Sequence, residues 1–227
     1  MVNTVGSCES KHWHKKWIPI KESLSLNLRQ RELIVGSLLG DGTMRLGKGA
    51  QNVNFKVEHG LMQKEYVIWK YRILKQFVFT EPKISYRYDK SGRRYEKSWW
   101  FRTIRHPGFT KIYREFYEGE GYRNGKKIIP AKIEKYLTPL VLAVWIMDDG
   151  SFSRNRVDIS THSFSLLDIN ILQRCFKDIF SLNANYYNDF DRGHRIYFNQ
   201  EETKKLVKII GPYIIPSMMY KINFATP

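Results

Sequence analysis

The sequence predicts an α+β protein made of two pseudo-symmetric copies of one helix, hairpin, helix, hairpin, helix unit. Three observations carry that prediction. Two apolar runs, 33–42 and 140–150, both have helical spacing and both end in Asp-Gly. Each is followed by the same order of elements, and an internal repeat sets the architecture. The composition, 42% hydrophobic with 15% aromatic over 227 residues, suffices to bury a core across both copies.

The first element is a helix from residue 26, with Asn27 as its cap and Gly40 and Gly42 as its stop. Thr43 to Leu46 and Asn52 to His59 form a hairpin, in which Val53, Phe55 and Val57 alternate with polar residues as a half-buried strand requires. Residues 62–78 read as an amphipathic helix with Tyr66, Ile68, Trp69, Ile73 and Phe77 inward and a basic face outward. A second hairpin, 83–104, turns at Ser91-Gly92; alternation puts one of Trp99 and Trp100 in the core and the other on the surface. Residues 107–118 make another helix. After Lys126-Lys127-Ile128-Ile129-Pro130 the order restarts: a helix over Pro139–Asp149, a hairpin over 151–162 and an amphipathic helix over 165–180. A hairpin over 185–199, turning at Arg192-Gly193, and a last helix from Glu201 complete it. The expected organisation is an irregular arm at 1–23, an N-terminal half at 24–125 and a C-terminal half at 126–227.

Thirty-eight Lys and Arg against 22 Asp and Glu give a formal charge of +16, which attracts polyanions and makes nucleic acid the leading partner. No apolar run reaches the ~18 residues that span a bilayer, so a membrane partner is not expected. Two cysteines, Cys8 and Cys175, make neither a disulfide framework nor a zinc site, and Cys8, His12 and His14 match no zinc spacing. An intracellular location follows. The basic, acid-poor first residues leave a mitochondrion or chloroplast open.

The chemistry gathers at the two Asp-Gly ends. A carboxylate at a helix C-terminus faces the negative end of the dipole, a poor position unless a cation neutralises it. If the two apolar helices pack about a pseudo-twofold axis, with Gly36 and Ala143 allowing close approach, Asp41 and Asp149 come together at one end. Hard oxygen ligands without thiolate or imidazole point to magnesium, which keeps waters and completes its shell with substrate phosphate. The competing reading makes both aspartates ordinary polar residues before a Gly C-cap. Repetition at matching places in both copies argues against it.

Over residues 26–221 these segments resemble single-chain LAGLIDADG homing endonucleases, in the branch whose second motif ends Trp-Ile-Met-Asp-Asp-Gly. The resemblance implies αββαββα halves, a saddle of β-ribbons in the DNA major groove, and metal-dependent cleavage of both strands leaving short 3′ overhangs. It implies Asp41 and Asp149 as metal-binding catalytic acids, the carbonyls of Gly40 and Asp148 as further ligands, and Mg2+ as the ion, with Mn2+ able to substitute. Lys127 and Lys221 match positions for a lysine beside each scissile phosphate, and Lys56 and Asp158 match positions that hold the attacking water. A solvent-facing strand residue is the plain alternative for those last two. One departure stands out: Val144 occupies a glycine position opposite Gly36, which implies altered helix packing.

A two-stranded ribbon fits the major groove and presents one face to the bases. In the first half Ser85 and Arg87 share a face opposite Ile84, Tyr86 and Tyr88, with Lys97, Arg102 and the tip residues Lys90, Arg93 and Arg94 adding contacts. The second-half counterparts are Arg154, Arg156, Asn185, Tyr187, Asn188, Arg192, His194 and Arg195. One chain with two unlike halves implies a monomer on an asymmetric double-stranded DNA site. The alternative is an RNA-binding maturase acting on its host intron.

Overall fold

The computed structural model describes residue 19 and residues 23–119 and 125–223. Cys8, His12, His14 and most of the 1–23 arm lie outside the described residues. Helix α1 (Leu28–Leu39) starts where predicted: Asn27 accepts from the Gln30 N–H while the Gln30 side chain accepts from the Asn27 N–H, a reciprocal capping box. The same Gln30 amide donates to Ile73 O at 2.9 Å, tying α1 to the next helix.

Strands β1 (Thr43–Leu46) and β2 (Val53–Gly60) form the first hairpin, α2 (Lys64–Leu74) follows, and β3 (Lys83–Tyr88) and β4 (Arg94–Arg102) form the second. The hairpins merge into one antiparallel sheet of order β1-β2-β4-β3. After α3 (Pro107–Phe116), the short strands β5 (Tyr117–Glu118) and β6 (Lys126–Lys127) pair with each other, and Ile128 N–H donates to Phe116 O. The chain then enters α4 (Pro139–Asp149), capped by the Thr138 side chain on the Val141 N–H. Strands β7 (Gly150–Ser153), β8 (Arg156–Ser160), β9 (Asn185–Asn188) and β10 (His194–Phe198) build a second sheet of matching order, β7-β8-β10-β9. Helix α5 (Leu166–Phe180) lies between its hairpins in sequence and α6 (Gln200–Ile210) follows it. The duplication is therefore realised element by element. Among the described residues no helix is long and apolar enough to cross a membrane.

Helix α4 is buried all round from Leu140 to Asp148, as a helix packed on every side must be. It lies against α1, and a Cβ added to Gly36 would stand 2.6 Å from Val141 O and 2.7 Å from Val144 Cβ. The close approach thus pairs Gly36 with Val144, the residue that the sequence placed opposite it. Bulk on one helix is accommodated by its absence on the other.

Helix α2 corrects a second expectation. Its buried stripe is Tyr66, Val67, Lys70 and Leu74, while Ile68, Trp69 and Ile73 are only half-buried. Positions 66, 70 and 74 repeat every four residues and so share one face. Lys70 belongs to that face despite its charge because a buried carboxylate from the other half meets it there.

Candidate active site

The two Asp-Gly ends converge. Asp41 directly follows Gly40, the residue that caps α1, and Asp149 is the last residue of α4. Gly150 caps α4 with its N–H on Ile146 O, and neither it nor Gly42 has a positive φ, so neither is a left-handed cap. A Cβ on Gly40 would meet Asp148 Cβ at 2.5 Å, and the Asp41 N–H donates to Asp148 Oδ2 at 3.2 Å. The helix ends are thus stitched together at the level of the carboxylates.

The two lysines arrive symmetrically. Lys127 Nζ, carried by β6, donates to Gly40 O at 2.6 Å. Lys221 Nζ, from the 3-10 turn Pro216–Lys221, reaches Gly150 O at 2.8 Å and Asp148 O at 3.3 Å. Both carbonyls expected to be metal ligands therefore accept from a lysine, each keeping a second lone pair. Burial lowers both ammonium pKa values from their ordinary level, and the neighbouring aspartates push back.

The carboxylates themselves differ. Burial and repulsion from Asp41 and Asp148 push Asp149 up to about 7, and Lys127 and Lys221 offset this only in part. Burial acts in the same sense on Asp41, but a hydrogen bond and charge from His59, with the charges of Lys70 and Lys127, outweigh it and hold the carboxyl below its usual value. His59 Nδ1 lies 3.4 Å from Asp41 Oδ2. Behind it, Lys70 Nζ stands 2.7 Å from Asp148 Oδ1, and the Tyr66 hydroxyl donates to the same oxygen at 2.6 Å. Among the described residues no group of three or more His, Cys, Asp and Glu forms a ready metal cage. A magnesium ion needs no such cage, since one or two carboxylates with water and phosphate suffice, and this donor set fits it.

Tyr66, Lys70 and His59 were not anticipated. His59 was legible: the alternation that turns Val53, Phe55 and Val57 inward turns His59 inward too. Lys70 was not, because its partner sits 78 residues away in the other half.

Registers show how the sheets present side chains. Thr43, Lys56 and Arg102 stand in one row across three strands; Glu58, Trp100 and Lys83 form the next, then Gly60, Ser98 and Ser85. Trp99 pairs with His59 on the core side and Trp100 with Glu58 on the other, but both rings are half-buried, so neither is the wholly core or wholly surface residue expected. A bulge beside Lys97 re-aims that residue, whose Nζ meets Glu58 Oε1 at 2.7 Å. Lys56 also binds Glu58 and lines one cleft with Asp41, His59, Gln63 and Lys97. Against the effect of burial, Lys56, Lys97 and Ser98 hold the Glu58 carboxyl down at about 2. Arg87 shares the face of Ser85 as expected, whereas Arg94 turns to the other face and stacks over Tyr86 at 3.6 Å. Lys90 and Arg93 are exposed at the tip.

In the second sheet Ser151, Asp158, Tyr197 and Asn185 form one row, and Ser160, Arg195 and Tyr187 another. Asp158 is buried, which overturns its solvent-facing reading: Arg156 clasps it at 2.9 and 3.1 Å, and the Tyr187 hydroxyl donates to it at 3.2 Å. Arg156 also lies over the Tyr197 ring at 4.6 Å. Asn188 and His194 pair with each other, and His194 shares the parity of the buried Ile196 and Phe198. These two therefore belong to the opposite face from Asn185, Tyr187 and Arg195. Arg154 and Arg192 sit exposed at turns.

Residues 31–206 match the model of the LAGLIDADG DNA endonuclease family. The chain is 32% identical over 206 residues to the cytochrome b mRNA maturase bI2 of Saccharomyces cerevisiae, matching over 87% of its own length but only 48% of that relative's. It is 28% identical over 211 residues to the DNA endonuclease I-ChuI of Chlamydomonas applanata, covering 88% of this chain and 97% of the relative. Among solved structures, the homing endonuclease I-WcaI bound to its DNA recognition sequence superposes with a TM-score of 0.81 at 25% identity, over 99% of this chain and 96% of that one.

Proposed function

The chain belongs to the LAGLIDADG DNA endonuclease family, and on that premise we propose that it is a monomeric homing endonuclease cutting both strands of a long asymmetric DNA site. The observation that carries the proposal is the paired helix end: Asp41 and Asp149 on neighbouring helices, each end flanked by a lysine on a backbone carbonyl. Asp41 and Asp149, with the carbonyls of Gly40 and Asp148, would hold divalent ions, magnesium in the first instance with manganese able to replace it. Bound there, such an ion activates water and offsets charge on the phosphate. Lys127 and Lys221 act as point cations toward the two scissile phosphates, where a preorganised charge in a partly dehydrated site counts most. Lys56 and Asp158, at matching register positions, would order water at the mouth of each site.

The outer rows of both sheets would lie in the major groove. Arg87, Lys97 and Arg102 of the first sheet and Arg156, Asn185, Tyr187 and Arg195 of the second would be the side chains that read it. The tip residues Lys90, Arg93, Arg154 and Arg192 would hold phosphates. The test is cleavage of a randomised duplex library in magnesium, beside Asp41→Asn and Asp149→Asn. One recurring asymmetric site with short 3′ overhangs, its double-strand cutting lost in both variants while DNA affinity persists, is the expected result. Full double-strand cutting by either variant would sink the assignment of its aspartate.

The similarity to the yeast maturase favours one second reading, an RNA-binding role in splicing of the host intron, and with it an organelle setting. Splicing assistance that survives loss of both aspartates would support it.

A further inference from the structure

We propose that His59 is a positioning residue that fixes the Asp41 carboxylate in one half only, so that the two scissile bonds are cut at unequal rates. The inference rests on the endonuclease reading above and adds to it an order of events.

His59 stands on the core side of β2 and is 4% exposed. Its Nε2 lies 3.2 Å from Lys70 Nζ and 3.6 Å from Asp148 Oδ1, and its Nδ1 faces Asp41 Oδ2 at 3.4 Å. An ammonium has three donors and no acceptor. Lys70, paired with Asp148, therefore donates to Nε2, which leaves the ring proton on Nδ1, the atom that faces the Asp41 carboxylate. The anchor is rigid: Lys70, Tyr66 and the Asp148 carboxylate are fully buried, and Asp148 comes from the opposite half. The Tyr66 ring stacks on Trp69 and lies under Lys70 Nζ at 4.4 Å, which fixes the ammonium further. The orientation of Asp41 is thus set by contacts that cross the pseudo-twofold axis.

The second half has no such device. Thr43 pairs with Lys56 and Ser151 pairs with Asp158, so Asp158 corresponds to Lys56 and Thr161 stands where His59 would. Thr161 donates to His194 O at 2.8 Å and is thereby turned into its own sheet. Asp149 makes no side-chain hydrogen bond or ion pair among the described residues. Asp41 meets an incoming cation and phosphate already oriented, whereas Asp149 must be oriented by them, and misplacement of a ligating group by an ångström costs on the order of a hundredfold in rate.

The experiment follows each strand of a doubly end-labelled target duplex through single-turnover cleavage, with thermal melting as a check on folding. Wild type should accumulate a nick of one polarity. His59→Asn keeps an N–H near the place of Nδ1 and should retain that bias; His59→Gln presents its amide at the Nε2 side, loses the Asp41 contact, and should slow the favoured strand about tenfold while sparing the other. Calcium titrated calorimetrically into the DNA complex should show one of two sites weakened in His59→Gln and restored in His59→Asn. Equal strand rates in wild type, equal slowing of both strands in His59→Gln, or an Asn variant as defective as Gln would overturn the proposal. If the chain cuts no DNA, the endonuclease reading fails and the calcium titration still decides the role of His59: no selective weakening refutes it.

Discussion

Two helix ends built on one plan hold their aspartates by different means. In the N-terminal half His59, backed by Lys70, keeps the Asp41 carboxyl below its ordinary value; in the C-terminal half Asp149 rises to about 7. Burial and the charge of Asp41 raise Asp149 first, and one further position adds to the difference. Asp148 stands opposite Gly40, so the second motif brings a third carboxylate into the interface. The first half answers with Lys70, Tyr66 and His59, and their effect reaches Asp41 as well. Duplication within one chain therefore permits a charge added in one copy to be met by residues of the other.

Breaking that answer should have the largest effect. Lys70→Met leaves the Asp148 carboxylate buried without its cation, and removing one partner of a buried pair costs about 3–5 kcal/mol. Urea unfolding of the protein without metal should register the loss. Lys70→Met with Asp148→Leu should recover part of it, since a buried pair replaced by apolar groups is often neutral. A small loss in the single variant would mean that Asp148 is not confined by burial, and the contrast between the halves would dissolve.

The next effect sharpens the contrast from the other side. Asp149 titrates near 3.8 when unfolded and about 7 when folded, so its favourable contribution is complete below pH 3.8 and is lost as pH rises through 7. A shift of about three units bounds the effect at roughly 4 kcal/mol. The protein without metal should melt at higher temperature at pH 5.5 than at pH 8, and Asp149→Asn should flatten that dependence by raising the melting point at pH 8. A divalent cation should do the same for wild type. Asp41→Asn should give no comparable gain, because that carboxyl is already held ionised by His59.

Most of this architecture could be read along the chain, and what could not has a common cause. Among the described residues, periodicity located helices α1 to α6 to within a few residues, and Asn27, Thr138 and Ser165 cap locally without a distant partner. The paired aspartates are legible because repetition marks them twice, whereas the two lysines come from the family resemblance alone. Lys70 was hidden since a charge reads as surface until its counter-charge is placed, and Asp148 is placed only by the fold. Asp158 was misread for the same reason: its burial depends on Arg156 and Tyr187, the latter from a strand 29 residues on. The face of His194 and Asn188 required the register of β10, which a turn residue alone does not fix.

The smallest effect concerns the two groove faces. Glu58 holds Lys56 and Lys97, so one carboxylate ties down two cations of the first sheet and cancels one of their two charges. Glu58→Gln should free both, tighten DNA binding several-fold at low salt, and steepen the salt dependence by up to about 0.9 per phosphate gained. Discrimination between target and random duplex should fall, because phosphate contacts carry no sequence. Asp158→Asn in the second sheet should change the slope less, for Arg156 remains stacked on Tyr197 after its carboxylate is gone. Slopes measured by fluorescence anisotropy across a salt series decide this. An unchanged slope in Glu58→Gln would mean that Lys56 and Lys97 already reach phosphate past Glu58, and the first sheet would then be the stronger electrostatic anchor of the two as it stands.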